Sequence, residues 1–208
     1  PETNYSMEIG TTWLHESHNR EFSIGINATA YNSRIYDMIV WAPSSENSSQ
    51  WKPENVDEIW NRGVESGLTL TWRPKKFLFR SINNYGLCKS TYEKVSNPED
   101  AKLGKQQIFI PVHQFNTNFS AEAWNFFLIY KLSYQSDRFT GKDNADLMPG
   151  FSLSNIIFGR NIKFKDFILT LQLDINNLFN LDYQSLPSRP MPGINQMLTI
   201  RFNFTGER

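Results

Sequence analysis

The residues able to do chemistry are few and scattered. His15 and His18 flank Glu16 in His-Glu-Ser-His. That spacing could bring two imidazoles onto one metal ion, but no third ligand is evident, and an exposed hairpin turn accounts for it more simply. Asp143, Asn144 and Asp146 form Asp-Asn-Ala-Asp, an oxygen-rich run able to meet calcium. It lacks the glycine and the distal glutamate of an EF-hand loop, so a solvated loop is the plainer reading. Neither a GxSxG nor a Walker sequence occurs. His113 is the one histidine expected inside a strand, and nothing else marks it as half of a Ser/His hydrolase pair on a barrel wall. The single cysteine, Cys88, excludes an internal disulfide. No catalytic residue, metal centre or cofactor is expected.

What remains is contact chemistry. Trp51, Tyr92, Arg138, Phe139, Tyr183 and Arg189 fall in or beside long polar connections and combine large contact area with charge or hydrogen bonding. Such groups suit capture of a bulky ligand or of a protein lid. Glu8, Glu65, Lys131, Asp174 and Arg201 fall on the polar phase of alternating segments, where they would line a wet wall or meet a guest inside it. Lys plus Arg equals Asp plus Glu, 21 against 21, so no net field draws the chain to nucleic acid. An aromatic fraction of 14% within a hydrophobic fraction of 39% is not the composition of disorder. No apolar run approaches the ~18 residues of a spanning helix. Membrane β-strands need no such run, because half of each faces water. Pro1, with no basic-then-apolar leader before it, is read as the start of a processed, cleaved or truncated chain.

The elements that must position these residues read as strands. Phe167, Leu169, Leu171, Leu173 and Ile175 alternate with Ile168, Thr170, Gln172, Asp174 and Asn176, Ile168 being the one exception to the polar phase, and Ile194 to Phe204 repeats the pattern. Trp124 to Tyr134, Tyr5 to Trp13, Phe22 to Ala30 and Val64 to Trp72 follow the same period. Residues 77–92, 107–120 and 150–160 are noisier. In 107–120 the face Pro111, His113, Phe115, Thr117, Phe119 is the outer one, and in 150–160 a phase shift near Asn155 predicts a bulge. Nine strands follow, at 4–14, 21–42, 59–73, 77–92, 107–120, 124–138, 150–160, 166–178 and 191–204. Short connections (15–20, 74–76, 121–123, 161–165) alternate with long ones (43–58, 93–106, 139–149, 179–190). Trp13, Trp41, Trp60, Trp72 and Trp124 mostly fall near strand ends, as interfacial girdles require. The predicted fold is all-β, a transmembrane antiparallel barrel. Nine antiparallel strands cannot close on themselves, so the chain is expected to be part of a larger barrel.

Against this background the sequence resembles the C-terminal half of the barrel of TonB-dependent outer-membrane receptors, over residues 1–208 as one domain portion. Pro1-Glu2-Thr3 with Tyr5 and Glu8-Ile9-Gly10 is similar to that family's first strand of this region. So are Tyr31-Asn32 with Ile35, Asp37 and Ile39, Asn55 with Gly63-Val64-Glu65, and Pro111 with Phe115. Asp143-Asn144 through Leu147, Pro149 and Gly150 match a loop exit. The end matches best: Asn176-Asn177-Leu178-Phe179-Asn180, Tyr183 and Pro192-Gly193 before a last strand ending in Phe204. Ile194, where the family often has Arg, and the tail Thr205–Arg208 depart from the pattern.

The resemblance implies a 22-stranded barrel of which these are the last nine strands, and no catalysis. It implies an N-terminal barrel half and a plug as partners, TonB contacted through that plug, outer-membrane lipid around the wall and, for some members, a surface lipoprotein lid. The C-terminus would be periplasmic, with Phe202 and Phe204 as the assembly signal. Cysteines introduced at Ser48, Asn97 and Lys142 would then be reachable from outside the cell, and ones at Lys75 and Lys163 would not. The expected function is import of a scarce bulky nutrient, cobalamin or a metal chelate such as a siderophore. Arg189-Pro190-Met191-Pro192-Gly193 looks most like cobalamin receptors of the Bacteroidetes type. A passive porin-like channel and a soluble β-sandwich binding module are the alternatives, separated by an upstream plug sequence and by behaviour without detergent.

Overall fold

The computed structural model describes residues 1–43, 50–94 and 101–204, and every regular element among them is a strand. In chain order these are β1 (Thr3–Glu16), β2 (Phe22–Pro43), β3 (Trp51–Trp72), β4 (Phe77–Lys94), β5 (His113–Ala123), β6 (Phe126–Gln135), β7 (Arg138–Phe139), β8 (Leu147–Met148), β9 (Phe151–Lys163), β10 (Phe167–Asn176), β11 (Gln184–Leu186), β12 (Arg189–Pro190) and β13 (Asn195–Phe204). Nine of them form one sheet in the order β1-β2-β3-β4-β5-β6-β9-β10-β13. All its pairings are antiparallel. The pairs β7–β8 and β11–β12 are small hairpins inside two of the long connections. Ser48, Asn97, the tail Thr205–Arg208 and the side chain of Asn55 lie outside the described residues.

Directly paired residues share a face, so the register assigns both sides of the sheet. Phe167, Leu169, Leu171 and Leu173 stand opposite Phe204, Phe202, Ile200 and Leu198. Leu173 also meets Phe158, which meets Leu128. At the other edge Trp13 meets Ile26 and Ile9 meets Ala30. The face His113, Phe115, Thr117, Phe119 is continuous with these, as the alternation required. Its large side chains stand open, Ile9 at 77% and Leu198 at 71% exposed. A soluble protein does not leave such an area in water, whereas the lipid-facing band of a membrane barrel has this character. The buried hydrophobic cluster is small, Ile59 and Tyr92 with Met38 against them. Among the described residues no second layer packs on the nine-stranded sheet, which is the arrangement of a barrel wall and not of a β-sandwich. β1 and β13 are the two edges and do not pair with each other, so the nine strands form an open wall.

Several sequence-based boundaries move. The β5–β6 turn was expected at 121–123, with Trp124 opening the next strand. Instead Ala123 pairs with Phe126, and Trp124 and Asn125 make the two-residue turn at φ 49° and 69°. Positive φ at both centres is the hairpin turn that matches strand twist. Trp124 fitted the apolar alternation because its ring packs edge-on against Phe77, 5.0 Å between centroids. In the long connection expected at 43–58, Pro43 and residues 51–58 are strand, with Pro43 paired to Trp51, and 44–49 lie outside the described residues. Residues 107–112, expected in a strand, belong to a loop, and pairing begins at His113. The bulge expected near Asn155 is absent: β9 keeps unbroken register with β6 from Phe151 to Arg160. Ile157 lies on the face opposite Ile156 and Phe158, which produced the apparent phase shift. Irregularity falls instead at Glu58/Ile59 in the β3–β4 pairing and at Asp37, with φ 55°. His15, read as part of a turn, lies in β1 and stacks on Trp13 at 5.9 Å.

Candidate functional site: a pinned loop layer above a polar wall

The turns at 17–21, 73–76, 124–125 and 164–166 gather at one end of the wall, and the long connections at the other. At the long end, three connections are tied to one another. The Asn144 side chain accepts the Gln106 N–H at 2.8 Å and donates to the Gln106 carbonyl at 2.9 Å. Its amide is thus committed to the backbone. Phe109, at φ 62°, donates its N–H to the Phe139 carbonyl at 2.9 Å and packs on Trp51, 5.5 Å between ring centroids. Buried Ser90 donates its hydroxyl to Gln107 Oε1 at 2.8 Å. Each bond satisfies a polar group that loop packing takes out of water.

Arg138 joins the next two connections. Its Nη1 donates to the Ser185 carbonyl at 2.8 Å and Nη2 to the Gln184 carbonyl at 3.2 Å. Its guanidinium lies over the Phe151 ring, and Tyr183 packs on the same ring at 4.6 Å. Arg138 is 5% exposed, and this burial pushes its guanidinium pKa down from the ordinary value. Carbonyl acceptors and a ring face offset part of the desolvation.

The segment Asn177 to Ile194 is held by two asparagines at positive φ, Asn177 and Asn180. Asn177 is 3% exposed. Its Nδ2 donates to the Leu181 carbonyl at 2.8 Å and the Pro192 carbonyl at 3.2 Å, and its Oδ1 accepts the Leu181 N–H at 2.8 Å. The Asn180 side-chain oxygen accepts the Ile194 N–H at 2.9 Å. A Cβ on Gly193 would fall 2.6 Å from that oxygen, so a larger residue cannot sit there unmoved. The Asn-Asn-Leu-Phe-Asn and Pro-Gly sequences are therefore two halves of one clasp.

The six loop candidates fare differently. Phe139, Tyr183 and Arg138 come together in this layer, and Trp51 joins through Phe109. Trp51 and Tyr92 lie on strands and not on loops, because β3 and β4 rise further than the alternation indicated. Tyr92 is 2% exposed beneath the layer, with the Lys102 ammonium 5.9 Å from its ring. Tyr92 and Arg138 thus hold the layer together and present little surface. Arg189 is exposed on β12. Sequence reasoning missed Phe109, Gln106 and Asn177. Only Asn177 carried a signal, since asparagine favours the left-handed region after a strand.

The five polar-phase residues share the face opposite the apolar band. Glu8 stands opposite Tyr31, whose ring crosses Gly63; a Cβ at Gly63 would lie 2.5 Å from the Tyr31 hydroxyl. Glu65 stands opposite Thr29 and Gly86, and Lys131 opposite Asn118 and Asn155. Asp174 is opposite Ile157 and Met197 and accepts from Gln172 Nε2 at 2.7 Å, while Arg201 is opposite Thr170. Phe202 and Phe204 lie on the apolar face beside Phe167. Among the described residues no three His, Cys, Asp or Glu side chains gather as a metal site. A depression of about 590 Å³ at the turn end, lined by Arg73, Lys75, Lys76, Glu122, Phe127 and Lys163 among others, contains none of the candidates.

Comparison with known proteins places this arrangement. A family described as TonB dependent receptor-like, beta-barrel matches residues 1–178. Among curated proteins none matches significantly. Among solved structures, the ferric-catecholate import receptor Fiu of E. coli K12 superimposes with a TM-score of 0.69 at 17% identity, covering 99% of this chain and 28% of that one. The ferric preacinetobactin receptor BauA of Acinetobacter baumannii gives 0.66 at 17%, covering 97% and 29%. The ferric yersiniabactin uptake receptor FyuA of Yersinia pestis gives 0.63 at 14%, covering 98% and 30%. The chain spans less than a third of each of these receptors. With a single antiparallel wall, a lipid-facing band, loops and turns at opposite ends and a family match over most of its length, the chain belongs to the TonB-dependent receptor-like β-barrel family.

Proposed function

We propose that this chain forms part of the wall and loop layer of a TonB-dependent importer in a bacterial outer membrane, with the loops extracellular and the C-terminus periplasmic. The observation that carries this reading is the pinned loop layer at one end of a lipid-banded wall. A preassembled surface loses little entropy on capturing a dilute, bulky ligand. Trp51, Phe139, Tyr183 and Arg189 are the residues proposed to meet the ligand, with Tyr92 and Arg138 setting their positions. Glu8, Glu65, Lys131, Asp174 and Arg201 would face the plug. Coupling to TonB runs through that plug in this reading, and a surface lipoprotein lid would rest on the loop layer. Phe202 and Phe204 would serve as the assembly signal.

A ferric siderophore is the favoured cargo, because the solved receptors of the same fold are named for ferric chelates. Aromatic faces and cations suit an anionic chelate. Cobalamin had its support in Arg189 to Gly193, and part of that run is occupied with the clasp to Asn177 and Asn180. The test is equilibrium binding and uptake by the complete receptor. Tight binding of a ferric siderophore or haem with no affinity for cyanocobalamin supports the reading. The converse moves the cargo to corrinoids, and concentrative uptake that survives deletion of the plug refutes the importer itself.

A further inference from the structure

The polar face is not uniform along its height. Within three residues of the strand ends it carries Arg80 on β4, opposite Thr71 and Ser120, Lys163 on β9, opposite Ile168, and Arg201 on β13, opposite Thr170. At ~3.4 Å per residue and a tilt of ~40°, all three lie within ~8 Å of the turns. The 73–76 turn adds Arg73, Lys75 and Lys76. From β4 to β13, the one acid among the described residues on this part of the face is Glu122, opposite Leu78 and Phe127. Lys165 and Asp166, neighbours in the 164–166 turn, cancel. Each of the six cations is exposed, and none has an ion pair with a described residue. Higher on the same face the balance is reversed, with Glu8, Glu65 and Asp174 against Lys131.

These groups meet at the depression of about 590 Å³ at the turn end. Arg73, Lys75, Lys76 and Lys163 line it alongside the apolar Leu78, Phe127 and Ile168. A Cβ on Gly159 would fall 2.2 Å from Phe127 Cζ, so the Phe127 ring lies against the wall and leaves the space beside it open. A cleft lined by one sign of charge concentrates the opposite ion. An anion with an apolar body matches both the cations and the apolar lining. Membrane lipid does not reach this place, because acyl chains stand against the opposite face of the sheet.

We infer that this depression is a second cargo site, taking an anionic ferric chelate as it leaves the lumen toward the periplasm. The chelate is of the class whose ligand charges outnumber those of the iron, as in a ferric tris-catecholate. A ferric tris-hydroxamate, whose charges cancel, gains nothing from the cations. Aromatic rings of the chelate lie against Phe127 and Ile168, and its oxygens meet Lys76 and Lys163. An open cationic recess holds such an ion long enough to draw it down and weakly enough to release it, the two demands on any site along a path. The inference rests on the importer reading proposed above, with the turns facing the periplasm.

The experiment uses cells carrying the complete receptor, with radio-iron-labelled ferric tris-catecholate and ferric tris-hydroxamate as probes. Surface binding is measured on de-energised cells and uptake on energised ones, at low and at physiological salt. Lys76→Gln and Lys163→Gln together should leave surface affinity unchanged and lower the maximal uptake rate of the tris-catecholate by at least about threefold, most of all at low salt. Glu122→Gln should not lower it, and Lys163→Arg should retain it. Both lysines are exposed, and surface binding capacity counts the assembled receptor to which each rate is normalised. Unchanged uptake in the double variant, or preferred import of the tris-hydroxamate, overturns the site. Loss of surface affinity, or entry of a large hydrophilic antibiotic through the variant, shows that the lysines hold the plug instead and also overturns it. A wild-type receptor that binds neither chelate marks failure of the cargo reading itself, seen before any variant is compared, and takes this inference with it.

Discussion

Leu173 is the position at which the assigned faces are tested most cleanly. On the lipid face it meets Phe158 on β9 and Leu198 on β13, both apolar and half exposed or more. It lies six residues above Phe167, where Phe164, Phe167, Phe202 and Phe204 cluster at the turn end. At ~3.4 Å per residue and a ~40° tilt, Leu173 stands ~16 Å above that cluster, inside a band ~25 Å tall and ~9 Å from its far edge. Arginine at this depth costs about 2–3 kcal/mol, below the midplane maximum of ~4. Leu171, two residues down, is a poorer probe. Its partner Arg160 already leans over the Phe126 ring, so a new guanidinium there adds like-charge repulsion to the cost of depth. Gln172 lies between them on the opposite face and donates to Asp174, so Gln172→Arg gains a carboxylate neighbour and should change stability by less than ~1 kcal/mol. The assay is urea unfolding of the complete receptor in lipid vesicles, paired with outer-membrane assembly in cells. Leu173→Arg should shift the midpoint strongly and Gln172→Arg hardly at all. Equal loss in both variants would refute the assignment of faces.

Asn177→Ala removes three side-chain hydrogen bonds at a buried site and leaves backbone groups without partners. It should destabilise the 178–194 segment by about 2–4 kcal/mol, read as faster cleavage of that segment in limited proteolysis while the wall stays intact. In a Cys88→Ser background, cysteine at Lys142 should react with an impermeant maleimide on whole cells and cysteine at Lys75 should not. The reverse pattern would invert the membrane orientation.

The wall was legible in the sequence because strand periodicity is local. One residue in two along β1, β10 and β13 belongs to the apolar face, and that alternation survives in the linear order of Tyr5 to Trp13, Phe167 to Ile175 and Leu198 to Phe204. The assignment of Glu8, Lys131 and Asp174 to the polar face followed from parity alone, since a strand has only two sides. Tertiary structure decided what local pattern cannot carry. Trp124 satisfied the alternation yet occupies a turn, because only pairing of Ala123 with Phe126 fixes where a hairpin reverses. Arg138 and Tyr92 were legible only as large side chains near loops, whereas carbonyls of residues 184 and 185 and the packing of Ile59 enclose them. Those partners lie tens of residues away, and long-range hydrogen bonds leave no period in the chain.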